Sequence, residues 1–272
     1  MRRSLQICIG LGCGAVLSLA FSPYEMGWIA YFALVPFILF SGVLDGSPRL
    51  KLNSFAFGFS YFFSSLYWIA FLEKEQIAIP ELRLPAAIVL SAYLAIFQII
   101  TFFISSRLIR MGIPFPIAIP ITWGGIEYLR SLGVLGFPWS SLGYSQTPYS
   151  WVIQLASLVG VYGISAWLVL INCGLVLILK NRSRGAIVLL VVALVLPLVA
   201  GRSMLSEKKT GKQISVALIQ PNISGAVKWN EDYRDSTIGV LKKMIRQCKG
   251  CLLYTSDAAD EGLGVDLGGR RI

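Results

Sequence analysis

The sequence predicts a polytopic α-helical membrane domain followed by the opening of an α/β domain that is not completed. Three observations carry this. Of 272 residues, 56% are hydrophobic and only 14% charged, with a mean hydropathy of +0.69; an ordinary soluble domain has about 25% charged residues. The apolar residues fall into charge-poor runs of spanning length, not into the ~10-residue alternating segments of a membrane β-barrel. Hydropathy then collapses at residues 202–212, where Ser, Glu, Lys and Gly dominate.

The runs, in order, are 4–24, 26–44, 52–72, 84–106, 111–126, 131–179 and 185–201. The sixth is too long for one helix. Its first part, 133–148, is rich in Gly, Pro, Ser and aromatics and predicts a loop, whereas 151–179 predicts one long helix. Seven membrane helices result, in a domain over residues 1–201. The run from Met111 is the weakest, because Pro114, Pro116 and Pro120 crowd its first turns, and it gains length only by continuing through Glu127 to Arg130. The Met-Arg-Arg start suits a signal peptide, but no small-residue cleavage site precedes the next run, so the first segment predicts a retained helix. Gly10-x-x-x-Gly14 on that segment predicts close helix packing.

The formal charge is +10. In a chain this apolar, basic residues mark cytoplasmic loops and not nucleic-acid binding. With the N-terminus in the cytoplasm, the cytoplasmic loops hold nine basic residues: Arg2, Arg3, Arg49, Lys51, Arg107, Arg110, Lys180, Arg182 and Arg184. The opposite loops hold three, Lys74, Arg83 and Arg130. This positive-inside bias predicts that everything after Gly201 is extracytoplasmic.

There is no His, which excludes Ser-His-Asp hydrolases, His-ligated zinc and HExxH proteases. Cys8, Cys13 and Cys173 sit inside apolar runs and read as small hydrophobes, so no metal centre or cofactor is expected.

After the composition break, residues 213–219 are short, β-branched and bounded by Pro221, which predicts a buried strand. Residues 229–249 place Ile238, Val240, Leu241, Met244 and Ile245 at roughly helical spacing. Strand, loop, helix is how an α/β domain opens, and the stretch 202–250 is too short to complete one. From Cys251 the chain reads C-L-L-Y-T-S-D-A-A-D and ends V-D-L-G-G-R-R-I. Both pieces resemble the translation of a transposase-type sequencing adaptor flanking a short index, so residues 251–272 are expected to be non-native. Cys251, Glu261 and Asp266 are accordingly not catalytic candidates. Without that tail the chain holds 22 basic and 10 acidic residues.

Three features exceed generic membrane helices. Glu127 and Arg130 are three apart and share a helix face, so they can pair; a structural ion pair at the outer interface and a functional ionisable site are both open readings. In Gly136-Phe137-Pro138-Trp139-Ser-Ser-Leu-Gly-Tyr144-Ser-Gln146, Pro and Gly prevent a continuous helix while aromatics and hydroxyls alternate. Either an aromatic belt or a wall for lipid chains accounts for it. Gln220-Pro-Asn222 with Lys228-Trp229 follows the expected strand, where α/β folds often carry sites, although a lone Trp usually packs.

These stretches resemble the apolipoprotein N-acyltransferase family. The resemblance rests on Ala20-Phe-Ser-Pro-Tyr24, Phe57-Gly-Phe with Leu66-Tyr-Trp68, Glu127-Tyr-Leu-Arg130 with the GFPW…GYSQ block, and Val216-Ala-Leu-Ile-Gln220-Pro-Asn222-Ile with Lys228-Trp229. It implies a multi-pass protein of the bacterial inner membrane with an extracytoplasmic nitrilase-like domain, whose start is residues 202–250. It implies an acyltransferase that moves an acyl chain from a phospholipid to the α-amine of a diacylglyceryl-modified apolipoprotein through a Cys thioester. The expected partners are therefore that phospholipid donor, the apolipoprotein acceptor and membrane lipid, with the chain a monomer. The family's Glu-Lys-Cys triad falls beyond the segment matching Lys228-Trp229, so no catalytic residue is assigned and the chain alone is expected to be inactive. By the same resemblance Trp139, Tyr144 and Trp229 are candidate substrate contacts. Glu127, Arg130, Phe137, Pro138, Gln220 and Asn222 are candidate supports of the site.

The competing reading is a non-catalytic polytopic protein, a transporter or an anchor. Transporters show repeated halves and mid-membrane breaks, and no such repeat is visible here.

Overall fold

Without water at hand, an apolar backbone must close its own hydrogen bonds, and helices do so within one segment. The computed structural model describes residues 3–72, 79–182, 184–206, 217–223, 227 and 231–247. These form two units, residues up to 206 and those from 217 onward.

The larger unit contains α1 (Arg3–Ser18), α2 (Val35–Phe40), α3 (Leu50–Ser65), α4 (Arg83–Arg110), α5 (Phe115–Arg130), α6 (Ser150–Ile153), α7 (Ala156–Asn181) and α8 (Arg184–Ser206). Among the described residues, three helices are long and apolar enough to cross a membrane: α4, α7 and, over Arg184–Leu205, α8. Of the seven expected membrane helices, these three meet that length and apolarity in the described residues. Helices α1, α3 and α5 have 16 residues each, short of the ~20 that a spanning helix needs.

The run 26–44 is the clearest departure. It forms a 3-10 turn, Gly27–Tyr31, then an irregular stretch, then the short α2. Pro36 lies in the first turn of α2, where its missing N–H costs nothing; inside a continuous helix its ring would clash with the carbonyl of Phe32. The freed backbone groups are met from α7. Asn172 Oδ1 accepts from Leu34 N at 3.0 Å, and Asn172 Nδ2 donates to Ala30 O at 2.8 Å. Broken backbone at membrane depth survives where protein satisfies it.

The expected helix 151–179 is also divided. Residues 150–153 form α6, the chain bends, and Gly160 (φ 66°, ψ 177°) kinks the first turns of α7. Positive φ is open to Gly without strain.

Packing follows the chain. Helix α1 lies on α3, α3 on α4, α4 on α5 and α5 on α7, while α2 touches both α1 and α7 and closes the ring; α8 leans on α6 and α7. Gly10 and Gly14 face the α3 backbone, and a Cβ at Gly14 would stand 2.3 Å from Phe57 O. At the centre, Phe37 of α2, Phe57 of α3, Phe102 of α4 and Trp123 of α5 are buried. Phe37 lies 4.6 Å from Phe57 and 4.7 Å from Phe102, and Trp123 lies 5.8 Å from Phe102. Each such pair adds about 0.5–1.5 kcal/mol beyond area burial. The hydroxyls of Ser105 and Thr122 hydrogen-bond across α4 and α5.

In the smaller unit, Ala217–Ile219 has no regular structure, and no strand occurs among the described residues. The expected strand 213–219 is thus not present in its described part, since an extended segment needs a neighbour to pair with; residues 213–216 lie outside the described residues. A 3-10 turn, Glu231–Tyr233, leads into α9 (Arg234–Gln247), where the predicted helix falls. Ile238, Val240 and Ile245 remain exposed on it.

Candidate functional site

Helix α5 ends in Glu127 and Arg130, which are 3% and 2% exposed. They share a face as the spacing requires, but each turns to the following loop and not to the other. Arg130 Nη1 donates to Phe137 O at 2.9 Å and to Trp139 O at 2.8 Å, and Nη2 donates to Ser141 Oγ at 3.0 Å. Its guanidinium stands 5.1 Å from the centre of the Phe62 ring. Glu127 Oε1 accepts from Trp123 Nε1 at 2.9 Å and from Leu142 N at 2.8 Å. The aromatic centre of the bundle is thereby tied to the loop through one carboxylate oxygen.

The loop is fastened further along. Tyr61 Oη donates to Ser140 O at 2.7 Å, and Gly143 N donates to Ser165 Oγ at 2.8 Å. Gln146 sits in the 3-10 turn Leu142–Gln146, and its Nε2 donates to Gly27 O at 2.9 Å. A Cβ at Gly143 would stand 2.3 Å from Val161 O, so only Gly allows the loop to lie on α7. The Pro- and Gly-rich composition that predicts a loop is thus answered by a loop held almost wholly through its backbone.

That path leaves a groove of about 710 Å³ at this end of the bundle. Phe21, Ser22 and Pro23 form one wall; Ser65, Leu66, Tyr67 and Trp68 form another; Pro138, Trp139, Ser140 and Tyr144 form the third. Trp68 and Trp139 face each other with ring centres 5.4 Å apart. No charged side chain lines it among the described residues. A second hollow of about 400 Å³ shares Phe21, Ser22 and Tyr144 and adds Glu25. Aromatic walls with scattered hydroxyls suit an amphipathic molecule with a long apolar part.

Of the residues singled out in the sequence, Pro138, Trp139 and Tyr144 line the groove, while Phe137 packs against Trp139 behind it at 5.5 Å. Glu127 and Arg130 position the loop. Gln220 and Asn222 belong to the smaller unit, both exposed on irregular backbone, with Asn222 at φ 52°. Trp229 lies outside the described residues, as do Lys228 and the Cys248-x-x-Cys251 spacing that the sequence reading passes over. The sequence reading also misses Phe21, Ser22, Pro23, Tyr67 and Trp68 as site residues. Their stretches carry the family resemblance, but no local pattern tells that they converge.

Residues 13–174 match the family model described as the apolipoprotein N-acyltransferase N-terminal domain. The chain is similar to the apolipoprotein N-acyltransferase of Geobacter metallireducens, 30% identical over 253 residues, covering 90% of this chain and 48% of that protein. It is similar to that of Haemophilus ducreyi, 27% identical over 89% of this chain and 47% of the relative. The same holds for Neisseria meningitidis serogroup B, at 30% identity over 82% and 46%. The chain spans about half the length of the curated relatives it matches.

Proposed function

Because the chain belongs to the apolipoprotein N-acyltransferase family, we propose that it is the membrane-embedded part of an enzyme that N-acylates lipoproteins. In this reading residues 1–201 are the membrane domain, 202–250 open an extracytoplasmic nitrilase-like domain, and 251–272 are not native. The N-terminus is cytoplasmic and the groove opens on the extracytoplasmic side of the inner membrane.

The observation that carries the proposal is the groove itself. Three stretches far apart in sequence, 21–23, 65–68 and 138–144, meet in one neutral aromatic hollow at the end of the bundle. Such a surface seats the acyl chains of a phospholipid donor and of the diacylglyceryl group on the acceptor. A Cys thiolate supplied from outside this stretch attacks the donor's ester carbonyl. The C–O bond breaks and a lysophospholipid leaves with a proton. The acceptor's α-amine then attacks the thioester, the C–S bond breaks and the thiol is regenerated. Trp139 and Tyr144 contact lipid, Glu127 and Arg130 keep the loop in register, and in the stretch from residue 202 onward Trp229 is a further substrate contact with Gln220 and Asn222 supporting it. The 272-residue chain alone gives no turnover, since it supplies none of the triad.

The test is complementation. A full-length gene carrying this segment should restore lipoprotein N-acylation, read by mass spectrometry, in cells depleted of their own enzyme. Trp139→Ala should lower it at least ten-fold at equal protein level, because the Trp139 ring is 52% exposed while its carbonyl makes the bond to Arg130. A full-length protein that restores nothing refutes the function; an unaffected Trp139→Ala refutes the groove's part in it.

A further inference from the structure

The opposite end of the bundle holds a smaller cavity that the acyltransfer reading does not use. It measures about 120 Å³ and is lined by Gly46, Ser47, Pro48, Leu50, Lys51, Phe103, Ser106 and Arg110. That is about four water volumes at roughly 30 Å³ each, the size of a phosphate group and far below a drug-sized pocket.

Its chemistry is one-sided. Lys51 from α3 and Arg110 from α4 line it, and no carboxylate does among the described residues. Lys51 Nζ stands 5.1 Å from the centre of the Phe103 ring, and the Arg107 guanidinium stands 5.4 Å from the same ring. Two cations from two helices therefore line one small hollow, and a third, Arg107, lies against the Phe103 ring that forms part of its wall. Asp45, the acid in the connecting loop, is exposed and does not line it. Gly46 takes φ 65° and lies against the Arg110 side chain, so the loop is folded onto the cation.

A second observation is independent of charge. Ser106 lines the cavity and is 2% exposed, and its Oγ has no hydrogen-bond partner. A buried hydroxyl without a protein partner leaves a bond for a water, an ion or a ligand atom to complete. The surroundings continue as an apolar surface. From Lys51, α3 carries Phe55, Phe59 and Phe63 at four-residue spacing, with rings stacked 6.0 Å and 5.7 Å apart. On α4, Ile96, Ile100 and Ile104 are exposed beside Phe103.

We propose that this cavity binds the phosphate of an anionic phospholipid. The phosphate sits among Lys51, Arg110 and Ser106 Oγ with Arg107 alongside, and the acyl chains lie on the Phe55–Phe59–Phe63 face. A free phosphate answers the same polar chemistry, but the apolar track leading from the cavity favours the lipid. By the charge bias this end is cytoplasmic, so the site and the groove address opposite leaflets. The inference rests on the cavity and not on the acyltransfer reading.

The full chain, purified and equilibrated with equimolar phosphatidylglycerol and phosphatidylcholine, should retain phosphatidylglycerol preferentially in native mass spectrometry. Lys51→Gln with Arg110→Gln should lower that retention at least ten-fold, at about five-fold per cation removed. Ser106→Ala should lower it several-fold. Lys180→Gln with Arg182→Gln, at the same end but away from the cavity, should leave it unchanged. Lys51→Arg should keep binding, which separates lost charge from lost folding. Equal retention of the two lipids, an equal effect of the Lys180/Arg182 pair, or loss in Lys51→Arg overturns the site. Displacement of the lipid by inorganic phosphate at ~50 mM, but not by sodium chloride of equal ionic strength, reassigns the site to free phosphate and overturns the lipid.

Discussion

Replacing Arg130 by Met keeps the length of the side chain and removes its donors. Two carbonyls, of Phe137 and Trp139, and the Ser141 hydroxyl lose a charged partner at 2.8–3.0 Å. The ring contact with Phe62 loses its cation as well. Hydrogen bonds to charged groups contribute about 1.5–3 kcal/mol each, but burying the guanidinium is itself costly, so the three do not simply add. The net loss should lie near the 3–5 kcal/mol typical of breaking one side of a buried charged contact. For a unit of this size that corresponds to a fall in Tm of roughly 10 °C. The assay is thermal unfolding of the detergent-solubilised full-length protein, combined with chymotrypsin cleavage between residues 131 and 149. Cleavage should rise about ten-fold in the variant at temperatures well below unfolding, because the loop loses its fastening before the bundle loses its core. A Tm within ~2 °C of the parent, by the same scaling, together with unchanged cleavage, would refute the idea that Arg130 holds the loop.

Three further outcomes follow from other contacts. Asn172→Leu leaves Leu34 N–H and Ala30 C=O without their side-chain partner and should cost about 2–4 kcal/mol, read as a lowered Tm. Gly27→Ala puts a Cβ 2.1 Å from Ser145 O and 2.7 Å from Tyr149 Cε2; the turn must move away from the loop, and both Tm and N-acylation should fall in the full-length protein. Tyr61→Phe removes the bond to Ser140 O while keeping the ring in the core and should cost about 1 kcal/mol. N-acylation should drop more than stability, because Ser140 lines the groove; an effect on Tm alone would count against that link.

Much of the bundle is legible in the sequence, for a physical reason. Helices α4, α7 and α8 are built on long runs whose few charges lie near their ends, and a helix that faces lipid on one side needs little beyond that to declare itself. The loop after Arg130 is equally plain, since Pro138, Pro148 and five glycines or serines between them and Gly133 leave helix no foothold. The break within 26–44 is not legible in hydropathy. Pro36 hints at it, but the residue that makes it tolerable, Asn172, reads locally as one polar residue in an apolar helix. The same limit applies to Glu127 and Arg130. Their spacing gives the shared face, yet most of their partners belong to a loop whose path no periodicity encodes. The groove is harder still, because Phe21, Trp68 and Trp139 are three isolated aromatics until the helices that carry them are packed.

The contact between Asn172 and the broken segment has a consequence for how the protein is made. The residue that completes the backbone at Leu34 lies 138 positions downstream, so it leaves the ribosome long after the segment it serves. At up to 20 residues per second, that interval is on the order of ten seconds. Through that interval residues 26–44 carry backbone groups that their own sequence does not satisfy. They must stay beside the insertion machinery, or adopt a provisional continuous helix, until α7 arrives. The early segment therefore cannot take its final form before α7 has been made, although it is translated second.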